Sequence, residues 1–60
     1  MNRIEVITNI LMEMGVVDLD IAIDINNGYN NDFHDANGKV HNYREIRNQA
    51  DNILSEDEEE

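Results

Sequence analysis

Nine consecutive residues in this chain alternate in polarity. Val17, Leu19, Ile21, Ile23 and Ile25 are separated by Asp18, Asp20, Ala22 and Asp24. A period of two sends successive side chains to opposite faces of an extended chain. Most of the apolar positions are β-branched, which suits a pleated, half-buried surface. The pattern predicts a strand over 17–25, ended by the hairpin chemistry of Asn26-Asn27-Gly28.

The flanks read differently. Asn2 with Glu5 three residues on forms a capping box. Ile4, Ile7, Ile10, Leu11 and Met14 then recur at helical spacing up to Gly15, predicting a helix over 3–14. Asn42 and Glu45 repeat the capping pattern near the other end. Tyr43, Ile46, Ala50, Ile53 and Leu54 supply that helix's apolar stripe.

Between these helices, turn chemistry sets the expected register. A three-residue loop around Gly28 pairs Ile25 with Tyr29 and Ile21 with Phe33, which keeps the apolar side chains on one face. A two-residue turn would put Phe33 on the Asp-bearing face. Asn37-Gly38 marks a second hairpin. As a two-residue turn it sets Ala36 opposite Lys39, Asp35 opposite Val40 and His34 opposite His41. A three-residue loop, Ala36-Asn37-Gly38, would move Val40 to the other face, so the two-residue turn is preferred.

The expected fold is therefore α+β: a single small α-β-β-β-α domain over 1–54, a three-stranded antiparallel meander with both helices on one face. Residues 55–60, SEDEEE, are expected to form a disordered acidic tail, because a run of carboxylates at a helix C-terminus opposes the helix dipole. Double-stranded-RNA-binding domains share this order of elements. They use a basic entry to the last helix, where this chain has Asn42, Tyr43, Arg44, Glu45 and Arg47, and topology alone does not carry function. A ubiquitin-associated-type three-helix bundle opening at Leu11-Met12-Glu13-Met14-Gly15 conflicts with the alternation.

Sixty residues with no cysteine give one marginal core and no disulfide staple. The N-terminus is too short and too polar for a signal or membrane span, so a cytoplasmic protein is expected (host cytoplasm if viral). Formal net charge is −10, from fourteen Asp+Glu against four Lys+Arg. That excludes nucleic acid and anionic membranes as direct partners and favours a basic protein surface. Abundant Asn and Ile have AT-rich codons, yet Lys39 is the only lysine. Cations thus read as selected against, as in small inhibitors from phages and mobile elements.

The acidic residues fall into two groups. Asp18, Asp20, Asp24 and Asp32 would lie on the open face of the predicted sheet, at intervals that imitate a line of phosphates. Glu56, Asp57, Glu58, Glu59 and Glu60 form the tail and would add electrostatic steering. The predicted register also brings Asp20, His34 and His41 into one cross-strand row, a carboxylate and two imidazoles able to hold a transition metal; the plainer expectation is a solvated sheet face and no metal. Asp35-Ala36-Asn37-Gly38 resembles the middle of an EF-hand loop. Its first and twelfth positions are Phe33 and Arg44, which cannot coordinate calcium. No nucleophile, phosphate loop or cofactor motif is present, so no cofactor and no enzymatic activity are expected. The sequence thus reads as a non-catalytic inhibitor that occupies a nucleic-acid-binding surface of a host protein as a nucleic-acid mimic. The alternative is a homodimeric or larger assembly protein.

Overall fold

The computed structural model describes residues 1–57. Its elements are α1 (Arg3–Glu13), α2 (Leu19–Asn27), β1 (Asp32–His34), β2 (Val40–Asn42) and α3 (Tyr43–Asp57). Among the described residues the fold has three helices and one two-stranded antiparallel sheet. It remains α+β, but the three-stranded meander with two helices is wrong: the predicted strand over 17–25 is helical from Leu19 onward.

Both ends of that segment suit a helix, and packing of its inner face selects it. Asp18 is the N-cap, and its Oδ1 accepts the Asp20 N–H (3.0 Å) and the Ile21 N–H (3.4 Å). Gly28 closes the helix at φ 95°, a conformation that costs a residue with Cβ but not glycine. The Gly28 N–H donates to the Ile25 carbonyl (3.2 Å) and the Tyr29 N–H to the Asp24 carbonyl (3.1 Å), so the last turn is tied off as a Schellman motif. Asn27-Gly28 is therefore a helix stop and not a hairpin turn. Ala22, assigned to the wet face of a strand, is 1% exposed, while Ile23 from the supposed dry face is 46% exposed. Burial follows the helical spacing of Ala22 and Ile25. The β preference of Ile is too small and context-dependent to resist that packing.

The α1 expectation holds to within a residue. The Asn2 Oδ1 accepts the Glu5 N–H (3.0 Å), and Glu5 Oε1 accepts the Asn2 N–H (3.1 Å), so the capping box closes in both directions. Val6, Ile7 and Leu11 from α1 meet Ala22 and Ile25 from α2 and Tyr43, Ile46 and Ala50 from α3; Val16 and Phe33 complete the core. Arg3 ties α1 to α2 by donating to Asn26 Oδ1 (2.9 Å) and the Asn26 carbonyl (2.6 Å), and it approaches Asp51 of α3 at 3.6 Å. Arg47 of α3 donates to the carbonyls of Ile25 (3.0 Å) and Tyr29 (3.1 Å).

The β1–β2 hairpin pairs Asp32 with Asn42, Phe33 with His41 and His34 with Val40. The expected pairing of His34 with His41 and Asp35 with Val40 is off by one residue. The loop is Ala36-Asn37-Gly38, not Asn37-Gly38. Asp35 builds it: its Oδ1 accepts the N–H groups of Asn37 (2.8 Å) and Lys39 (2.9 Å), while its own N–H donates to the Lys39 carbonyl (2.9 Å). Val40 moves to the outer face, and burying Phe33 beside His41 outweighs its loss.

Asn42 caps α3 as expected, its Oδ1 accepting the Arg44 N–H (2.9 Å). Tyr43, Ile46 and Ala50 are buried, Leu54 is half-buried and Ile53 lies largely outside. Ser55, Glu56 and Asp57 continue the helix, whereas Glu58, Glu59 and Glu60 lie outside the described residues.

Candidate functional site

The sheet face on which Asp18, Asp20, Asp24 and Asp32 were to line up does not exist. Asp18 is the α2 cap, Asp20 and Asp24 lie on the α2 helix, and Asp32 opens β1, where it accepts the Asn42 Nδ2–H (2.8 Å). Three of the four still share one element. Asp20 and Asp24 are four residues apart, so they lie along one side of α2 with a rise of about 6 Å between them. No ion pair occupies Asp18, Asp20 or Asp24 among the described residues. Glu56 is exposed on the last turn of α3, at the opposite end of the chain.

The row of Asp20, His34 and His41 also fails to form. His34 is exposed and points away from the core with Val40; His41 points inward with Phe33. Among the described residues no three His, Asp or Glu side chains stand where they could hold one metal ion.

Instead, His41 forms a buried brace that sequence reading missed. Its ring stacks on Phe33 with centroids 5.5 Å apart. Nε2 lies 2.8 Å from Asp35 Oδ2, and Nδ1 lies 3.7 Å from Glu45 Oε2. The hydrogen bond from His41, the N–H of Lys39 and the N–H of Asn37 together hold the Asp35 carboxyl below its ordinary value near 3.8. An ionised Asp35 only accepts, so His41 Nε2 carries the proton between them. His41 is 8% exposed, and its Nδ1 is buried without a hydrogen-bond partner, the Glu45 carboxylate being 3.7 Å away. The signal for this brace was the three-residue loop, which turns His41 inward.

A second buried titratable group sits at the start of α3. Burial, and then the negative charges of Asp24 and Asp18, push the Tyr43 phenol above its ordinary 10.0. The hollow beside the N-terminus of α1, about 310 Å³, is lined by Met1, Ile4, Glu5, Thr8 and Asn9. All five come from one end of one helix, and the Thr8 hydroxyl already donates to the Ile4 carbonyl (2.7 Å). It lacks the convergent polar groups of a catalytic pocket.

The solvent side of α2 is the most unusual surface. Leu19 is 64% exposed and Ile23 46%; four residues apart, they share a side of the helix. Val17, just before the cap, is 87% exposed. Hence α2 has one apolar stripe in the core, a second facing outward, and an acidic row of Asp20 and Asp24 beside it. No helix among the described residues is long and apolar enough to cross a membrane. The chain matches no family model, no curated protein and no solved structure.

Proposed function

We propose that this is a small non-catalytic binding protein that occupies a positively charged surface of another protein and competes there with nucleic acid, as an inhibitor of the phage or mobile-element kind does. The observation that carries the reading is the position of Asp18, Asp20 and Asp24: the cap and two residues of α2, none of them in an ion pair among the described residues. Two of the four cations, Arg3 and Arg47, sit at the C-terminal end of α2, on Asn26, Ile25 and Tyr29, and neither is ion-paired with these three carboxylates. The acidic run from Glu56 to Glu60 adds long-range attraction.

The mimicry is that of a charged helix and not of a flat carboxylate sheet. Affinity capture followed by mass spectrometry tests it. A captured protein with a basic nucleic-acid site, whose binding is lost in the Asp18/Asp20/Asp24→Asn variant and weakens as salt rises to about 0.5 M, supports the reading. A partner without such a site, or a variant that binds as well as the parent, removes it. Self-association is the second reading, favoured by the exposed Val17, Leu19 and Ile23. Sedimentation at micromolar and nanomolar concentrations separates the two.

A further inference from the structure

The apolar stripe on the outside of α2 lies outside the core, with Leu19 64% and Ile23 46% exposed. Leu19 and Ile23 are absent from the core, and exposed apolar side chains lower solubility. Ile is also among the weaker helix formers, so helix propensity does not explain Ile23. Single exposed apolar residues are ordinary, but a pair on one side of a helix with a third at its start is a patch.

We infer that this side of α2 is a docking surface for an amphipathic helix of another protein, one with an apolar stripe flanked by Lys or Arg. The inference rests on the acidic-binding reading above and names the partner's form. The chemistry follows from two parallel rows. Leu19 and Ile23 form one row, Asp20 and Asp24 the next, each with a rise of about 6 Å. An occupant must therefore present apolar and basic side chains together, in adjacent rows at matching intervals. A helix does so, because residues three and four apart stand side by side on its surface. A strand sends alternate side chains to opposite faces and shows one row at a time. A flat phosphate-binding groove has no use for Leu19 and Ile23. A second copy of this chain brings Asp18, Asp20 and Asp24 against their equals, and like charges across an interface are disfavoured.

A synthetic peptide of about 18 residues, long enough to be helical, provides the probe. It contains only Leu and Lys, with Leu at helical intervals. One control has the same composition in strict alternation, and a second is Lys alone at the same charge. Titration is followed by amide NMR shifts at about 50 mM salt, where screening is weak. The helical design should bind at least about tenfold more tightly than either control, a difference worth about 1.4 kcal/mol. Its shifts should centre on residues 17–24. The Leu19/Ile23→Ser variant should keep its fold and lose about the same tenfold.

Equal binding by the alternating peptide, or no loss in the Leu19/Ile23→Ser variant, overturns the inference. If the Lys-only peptide binds as well and the shifts centre on Asp18, Asp20 and Asp24, helix docking fails while the acidic-binding reading stands. If no peptide binds at low salt, both fail. Dimerisation abolished by the Leu19/Ile23→Ser variant makes the occupant a second copy and overturns the inference as well.

Discussion

Helices α1 and α2 are built by the same local rules and used differently. Each starts at an amide- or carboxylate-bearing cap, Asn2 or Asp18, and each ends at a left-handed glycine, Gly15 or Gly28. Both ends are closed by paired bonds: the Val16 N–H reaches the Leu11 carbonyl (2.9 Å) just as the Tyr29 N–H reaches that of Asp24. Yet α1 turns all its apolar residues except Met12 toward the core or its margin, whereas α2 leaves Leu19 and Ile23 outside. Starting and stopping a helix is thus independent of how much of it the fold consumes. What α1 buries almost completely, α2 leaves partly exposed.

Truncating the inner faces breaks that contrast most strongly. Ile7→Ala in α1 and Ile25→Ala in α2 remove side chains that are 0% exposed. Each should cost about 2–5 kcal/mol in urea unfolding. A chain of this size has only about 3–9 kcal/mol in total, so either variant sits near its unfolding midpoint.

The closing glycines come next and should differ from each other. Both have positive φ, which costs alanine about 1 kcal/mol or more. A Cβ on Gly15 would also lie 2.5 Å from the Ala36 Cβ, while one on Gly28 meets nothing within 4 Å. Gly15→Ala should therefore lower the melting temperature clearly more than Gly28→Ala. Equal losses would mean that the hairpin yields freely to α1, despite the bond from the Ala36 N–H to the Met14 carbonyl (3.0 Å).

Loss of a cap is smaller and should be the same in both helices. Asn2→Ala and Asp18→Ala are each expected to cost about 1 kcal/mol. A much larger effect at Asn2 would show that the reciprocal Glu5 bond dominates; α2 has no such partner.

Away from both helices, the hairpin brace sets the pH limits. Asp35 has its pKa lowered by folding, so its contribution is complete above the unfolded value near 3.8 and is lost as pH falls through the folded value. Urea unfolding between pH 7 and pH 2 should show this decline, and Asp35→Asn should flatten it. Tyr43 has the opposite sign: its pKa is raised, so its contribution is complete below 10.0 and is lost as pH rises through the folded value. Absorbance of the tyrosinate should show a late ionisation that Tyr43→Phe removes.

The smallest effect is the most informative about α2. Leu19→Ser and Ile23→Ser should change stability by no more than about 0.5 kcal/mol, since both side chains are exposed. A loss near that of Ile25→Ala would place them in the core and leave nothing for a partner.

Much of this fold was legible. The Asn2–Glu5 capping box, the α1 stripe, the Asn42 cap and the presence of a hairpin at Asn37-Gly38 all follow from short-range chemistry. The hairpin register was misread because both loop lengths suit Asn-Gly, and the choice lay between Val40 and His41 as the neighbour of Phe33 on the buried face. The acidic residues were legible as a list but not as a shape: Asp20 and Asp24 share one side of a helix that Asp18 caps, and no sheet face carries them. Asp32 belongs elsewhere.

Local chemistry by itself determined where α1 begins and ends, and that the excess charge is negative. It did not decide between strand and helix for 17–25. Residues four apart share a face in both structures, since four is a multiple of two and lies close to 3.6. Leu19 with Ile23, Ile21 with Ile25 and Asp20 with Asp24 therefore fit either. Ala22 and Ile25, three apart, fit only the helix, and their burial against α1 and α3 settles the matter. Only the assembled core, where those two side chains leave water together, turned an alternating sequence into a helix with an unfilled outer face.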